Sequence, residues 1–161
     1  MYPKNSNRHT EDEVIDIHDI DNLYAKTKLL SEDIVKKNCP NFLILRCSAL
    51  LGKNARRNSL IKIMKEKRPT LTLSGNSMFN YILHKDVLRF IKVALEKDLQ
   101  GIYNLSSSEN ISLKGVADLL KKHVNFGNYI YNVGNIDNTK ARNLFPIFKK
   151  TSMEIVLSFK H

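Results

Sequence analysis

The run FLILRCSALL at residues 42–51 constrains the fold more than any other feature of this chain. It is almost continuously apolar rather than alternating, the pattern of a strand buried on both faces of a parallel sheet. Arg46 interrupts it, and it falls well short of the ~20 apolar residues that a membrane helix requires. Upstream, residues 21–37 repeat with a helical period that stacks Leu23, Thr27, Leu30 and Ile34 on one face, with Asp21 as the N-cap. The pair Cys39-Pro40 ends that helix. A helix running into a buried strand is half of a crossover unit, which predicts an α/β fold with a parallel sheet.

The alternation continues to the C-terminus. Helical patterns occupy about 57–67, 86–97 and 112–123, and a final helix is capped at Thr151 or Ser152. Strand-like segments occupy 70–75, 80–84, 101–107 and 129–131, while residues 1–20 read as a polar loop. At Asp86 a carboxylate suits an N-cap, so His84 and Asp86 are assigned to the strand-to-helix turn. With 161 residues, 42% of them apolar, the chain can bury one ordinary core and not two large ones.

Charge and cysteine usage narrow the function classes. The net charge is +10, with the densest basic stretch at 53–68, KNARRNSLIKIMKEKR. Lys62 and Lys65 point away from the apolar arc of Leu60, Ile61, Ile63 and Met64, as on an ordinary solvated helix face. Lys53, Arg56 and Arg57 precede that helix, where anions bind favourably. The stretch has no aromatic residue to stack a base, which argues against nucleic acid as the partner. Cys39 and Cys47 match neither a disulfide framework nor a zinc spacing, and MYPKNSNRHTEDE lacks the apolar region of a secretory signal. Both features point to a reducing cytoplasm and away from membranes. The six glycines, at 52, 75, 101, 115, 127 and 134, lie too far apart for a phosphate-cradling loop.

One spacing suggests chemistry. Tyr24 and Lys28 lie four apart on the first helix, hence on one face and one turn apart. An ammonium beside a phenol favours the phenolate, which suits acid–base work. With six tyrosines and many lysines chance matches arise, and a second exists at Tyr81 and Lys85. That one falls on a strand-like segment, where four residues span about 13 Å instead of one turn. It is the decoy.

Four strings in order, NLYAKTKLLSEDIV, FLILRCSALLG, NYILHKDV and GIYNLSSSENISLKGVADLL, resemble the extended short-chain dehydrogenase/reductases, the NAD-dependent epimerase/dehydratase family. The resemblance implies the C-terminal portion of a Rossmann-like fold: the last parallel strands plus a small α/β substrate domain. Residues 1–52 would end the Rossmann-like domain, and 53–161 would form mainly the substrate-binding part, with strands returning to the main sheet. The parent enzyme would be a nucleotide-sugar epimerase, dehydratase or reductase using NAD or NADP. Its partner would be a nucleotide-diphosphate sugar, and it would act as a homodimer. Tyr24 would be the catalytic acid/base, and Lys28 would hold the nicotinamide ribose and tune the tyrosine. Cys47, Ser48 and Ala49 would pass the nicotinamide and the sugar. Arg56, Arg57 and Asn58 would hold the substrate diphosphate through charge-assisted hydrogen bonds.

Two positions depart from the family. Met78-Phe79 stands where many members carry a diphosphate-gripping arginine, and Ala49 stands where asparagine is common. The family's glycine-rich loop has no counterpart here. Met1 therefore reads as an internal methionine of a longer enzyme, the alternative being a non-catalytic basic module or remnant. Residues 1–161 alone are expected to bind NAD weakly or not at all, since the pyrophosphate has no cradle. Titration calorimetry finding micromolar affinity would overturn this.

Overall fold

A computed structural model describes residues 2–4 and 7–160, with the backbone alone at Lys160. A short strand β1 (Arg8–His9) precedes helix α1 (Leu23–Asn38), which leads into β2 (Leu43–Cys47). Asn22, not Asp21, caps α1: its Oδ1 accepts from the Ala25 N–H at 2.8 Å. The stripe of Leu23, Leu30 and Ile34 faces outward, at 77%, 51% and 62% exposure. The neighbouring stripe of Ala25, Leu29 and Glu32 packs inward instead.

The reason is electrostatic as much as apolar. Glu32 meets the one charge inside the 42–51 run. Arg46 donates from Nη2 to Glu32 at 2.8 Å and from Nε at 3.1 Å, with the two side chains 6% and 7% exposed. The apolar cluster under α1 is small, made of Ile20, Ala25 and Leu29 with Ile15 beside it. A buried, doubly bonded ion pair therefore carries much of the docking of this helix.

The apolar run is not one strand. It breaks at Ser48 into β2 and β3 (Ala49–Leu51). Next come α2 (Ser59–Lys65), β4 (Met78–Phe79), β5 (Tyr81–Leu83) and α3 (His84–Glu96). These are followed by β6 (Gly101–Leu105), β7 (Ile111–Ser112), α4 (Leu113–Leu119) and β8 (Asn135–Ile136). Helices α5 (Thr139–Leu144) and α6 (Ser152–Lys160) close the order.

Strand β2 pairs in parallel with β6, from Leu43 opposite Gly101 to Cys47 opposite Leu105. Strand β3 pairs in parallel with β5, Ala49 opposite Tyr81. The backbone at the break is shared: the Ser48 N–H donates to Leu105 O and the Ala49 N–H to Asn80 O, both at 3.0 Å. At Ser48 the chain thus exchanges one neighbour for another. Strand β4 pairs antiparallel with β7, and β1 pairs in parallel with β8, giving the expected N-terminal loop a two-residue strand.

Segments 70–75 and 129–131 contribute isolated bridges, Thr70 to Asn125 and Leu73 to Tyr129, in place of full strands. No side chain caps α3; β5 runs straight into it, and Asp86 lies buried in its first turn, accepting from Arg89 at 3.4 Å. Ser112 caps α4, and of the two candidates for the final helix Thr151 is the cap. The Gly115 N–H donates to Ser112 Oγ at 2.9 Å, and Thr151 and Glu154 form a reciprocal capping box.

Two apolar clusters flank β5. Tyr81 and Leu83 belong to one, with Leu51, Leu60, Ile63, Leu113, Val116 and Val156. Ile82 belongs to the other, with Phe90, Tyr103, Leu105 and Phe148. A buried polar knot ties β5 to its surroundings. Asn80 exchanges two hydrogen bonds with the Ser107 backbone, Ser107 Oγ meets Ser152 Oγ at 2.7 Å, and Ser152 Oγ accepts from the Tyr81 N–H.

Removing one partner of the Arg46–Glu32 pair leaves a buried charge uncompensated. Arg46→Met or Glu32→Leu alone should lower unfolding stability by about 3–5 kcal/mol, and the double replacement by much less. Denaturant melts of the three variants check this. Among the described residues β2 pairs along one side only, and α1 shows an apolar stripe outward. Residues 1–161 should therefore self-associate; sedimentation as a monodisperse monomer at tens of micromolar would contradict it.

Candidate active site

The crevice at the Ser48 break is where this architecture offers a site. In open α/β sheets ligands lie beyond the carboxyl ends of strands, where neighbouring connections diverge. Here Cys47 ends β2, Leu105 ends β6, and the chain turns away to β5.

A cavity of about 640 Å³ opens at that point, lined by Tyr24, Lys28, Cys47, Ser48, Ala49, Arg56, Arg57 and Asn58. All eight residues implied by the family resemblance meet in this one cleft, whereas Lys53 lines a separate cavity with Leu51, Gly52 and Phe159. Tyr24 is 72% exposed on α1, and the Lys28 Nζ lies 5.6 Å from the centroid of its ring. The Tyr24 backbone carbonyl accepts from Thr27 Oγ1 within the helix, and the side chain lines the cleft from the exposed face of α1. The other pair, Tyr81 and Lys85, divides between β5 and α3, and Tyr81 is 1% exposed. Burial pushes the Tyr81 phenol well above its ordinary range.

The electrostatics of the cleft favour an anion. Lys28, Arg56 and Arg57 line it, with no aspartate or glutamate among the lining residues. Arg57 pairs with Glu66 at the exposed rim. An exposed pair of this kind is worth about 0–1 kcal/mol, so an arriving anion can displace it. Asn58 caps α2, its Oδ1 accepting from the Ile61 N–H at 3.0 Å, so its amide nitrogen remains the group available to a ligand.

The strand-end residues have distinct states. Packing around its sulfur pushes the Cys47 thiol up to about 11, so it is a neutral thiol at physiological pH. Ser48 Oγ is buried without a hydrogen-bond partner. A hydroxyl left unsatisfied in a cleft wall costs ~1–3 kcal/mol, a cost that a bound polar ligand removes. Ala49 contributes only a methyl group at this wall.

Two features were not read from the sequence. His84 lines the cleft from the first position of α3, and a Cβ on Gly52 would run into its ring, so glycine at 52 makes room for the imidazole. A second cavity of about 320 Å³ shares Tyr24, Cys47, Ser48 and Ala49 and is walled by Tyr2, Phe79 and Tyr131. Those three aromatic residues are remote in sequence, and only the Phe79 departure from the family pattern hinted at them. Among the described residues no helix is long and apolar enough to cross a membrane, and no cluster of His, Cys, Asp and Glu suits a metal ion.

Comparison with known proteins follows the same outline. UDP-glucuronic acid 4-epimerase from Bacillus cereus, in complex with UDP-glucuronic acid and NAD, superposes with a TM-score of 0.77 at 22% identity over 99% of this chain and 57% of that one. MoeE5 in complex with UDP-glucose and NAD gives a TM-score of 0.79 at 13% identity, over 99% and 60%. The dTDP-4-dehydrorhamnose reductase of Bacillus anthracis str. Ames, in complex with NADP, gives 0.76 at 17%, over 98% and 61%. The chain thus spans less than two thirds of the length of these structures, and it shares their Rossmann-like α/β fold over that span. No curated protein matches it in sequence. The family model described as the RmlD substrate binding domain matches residues 7–143, most of the chain, and the protein belongs to that family.

Proposed function

We propose that this chain supplies the catalytic and substrate side of an NAD(P)-dependent enzyme acting on a nucleotide-diphosphate sugar, as an epimerase, dehydratase or reductase. The observation that carries this reading is the single cleft in which Tyr24, Lys28 and the Arg56–Arg57–Asn58 cluster converge at the strand ends. Family membership and the fold support it. In the enzymes compared above, NAD or NADP is the bound cofactor.

The residues fit one end of such a cofactor. Ser48 Oγ awaits a polar partner, Cys47 presents a neutral thiol, and Lys28 offers three donors to a ribose. They do not supply a pyrophosphate cradle, since the glycines lie apart in sequence. The dinucleotide, when bound, supplies or accepts hydride. Tyr24 moves the matching proton at the sugar oxygen, and Lys28, one turn along the same helix face, holds the ribose hydroxyls. Arg56 and Arg57 neutralise the diphosphate, and the Asn58 amide adds a neutral donor. Ala49 leaves space rather than a contact beside the sugar.

The same reading includes a homodimeric parent enzyme, supported by the outward apolar stripe of Leu23, Leu30 and Ile34. It also includes a cytoplasmic setting, supported by the two free cysteines.

The test uses this chain together with a dinucleotide-binding half, in one polypeptide or in trans, with hydride transfer followed by nicotinamide absorbance. Tyr24→Phe keeps the ring and removes the proton, so turnover should fall roughly 10²–10⁴-fold with substrate affinity little changed. Lys28→Met should lose turnover and weaken cofactor binding together. Tyr81→Phe should do neither. Near-full activity in Tyr24→Phe, with loss in Tyr81→Phe, would sink the assignment.

A further inference from the structure

The two cavities that share Tyr24 differ in their chemistry. Lys28, Arg56 and Arg57 line only the larger one. The smaller one is walled by Tyr2, Phe79, Tyr131, Val133 and Ile136. Phe79 stacks on Tyr131 with ring centroids 5.0 Å apart, and on Tyr81 at 5.8 Å, so the wall is a continuous aromatic surface.

Among the described residues Arg46 is the sole charged one in that lining, and it is committed elsewhere. Its Nε and Nη2 donate to Glu32, and its Nη1 donates to Tyr2 Oη at 2.8 Å and to the Glu11 carbonyl at 3.4 Å. Diverting it to a ligand would strand the buried Glu32. Asn80 is spent on Ser107 and Asn110. Burial raises the Tyr2 phenol, against an opposing pull from Arg46, and burial likewise raises that of Tyr131, so both walls stay neutral. Two lysines lie behind the walls rather than in the lining: Lys4, 5.6 Å from the Tyr131 ring centroid and lining an adjoining cleft with Tyr2, Pro3 and Asn132, and Lys28, 5.6 Å from the Tyr24 ring centroid and lining the larger cavity. The polar side-chain groups left to a ligand are hydroxyls: Tyr24 Oη, Tyr131 Oη and Ser48 Oγ.

We propose that the aromatic cavity is the sugar subsite and that it selects an uncharged sugar over a hexuronic acid. This rests on the nucleotide-sugar reading and specifies its substrate class. A sugar lays its C–H face on an aromatic wall and satisfies its hydroxyls at Tyr24 and Ser48. A carboxylate on the same ring would lose its hydration and find no free cation in the lining, which is a costly burial. Phe79 is the determinant: it presents an apolar ring, and no cation, to that part of the wall.

The test measures binding to the full 161-residue chain by calorimetry and saturation-transfer NMR. UDP and dTDP serve as references. The tighter of the two nucleotides is then compared as its glucose and glucuronic acid conjugates. The glucose conjugate should bind at least about 10-fold more tightly. Phe79→Arg should erase that preference, and Tyr131→Lys, at a less enclosed position, should reduce it should Phe79→Arg misfold. Lys4→Ala should leave the preference unchanged. Equal or stronger binding of the glucuronic acid conjugate, or no gain of the glucose conjugate over the bare nucleotide, overturns this proposal and leaves the nucleotide-sugar reading standing. Failure of both nucleotides to bind overturns both.

Discussion

The contact between Arg46 and Glu32 sets the geometry on which the site depends. Helix α1 carries Tyr24 and Lys28, and β2 carries Cys47 and leads to Ser48. Few apolar side chains hold that helix to that strand. The ion pair fixes their relative position with directional bonds, where apolar contact alone would allow sliding. Tyr2 extends the network, accepting from Arg46 and donating to Asn104 or to the Thr10 carbonyl, and the Glu11 carboxylate accepts from the Asn104 N–H. The N-terminal segment is thereby laid across β2 and β6 beside the cleft.

The break at Ser48 converts a strand into a fork. Had residues 43–51 continued along β6, no crevice would open at Cys47. Transferring the chain to β5 parts the two ladders where the backbone can still satisfy its hydrogen bonds on both sides. The orphaned hydroxyl of Ser48 sits at the parting, and the basic segment after β3 brings Arg56 and Arg57 round to the same opening.

Much of this was legible in the sequence, for identifiable reasons. The helices follow from apolar periodicity, and Ser112 and Thr151 cap as their chemistry requires. The period of α1 located a stripe without telling which stripe faces inward; that depends on Glu32 meeting Arg46 across fourteen residues. The fork was invisible because FLILRCSALL stays apolar on both sides of Ser48. Asp86 looked like a cap because a loop was expected, whereas β5 runs into α3 without one. The pairing of β1 with β8 lies beyond any local pattern, since each strand has two residues and the partners come from opposite ends of the chain. Tyr24 and Lys28 were separable from Tyr81 and Lys85 because helix and strand space the same four residues differently. The aromatic cavity assembles side chains from three distant segments, and no spacing rule reports that.

Strand β5 has a consequence of another kind. Its three residues are buried on both sides, Tyr81 and Leu83 serving one cluster and Ile82 the other. It is a party wall between two rooms. A shift of one residue would exchange the occupants, sending the phenol into the cluster of Phe90 and the isoleucine into that of Leu60. Inheritance across this wall is therefore joint: substitutions in either cluster alter the packing available to the other, and their effects will not add.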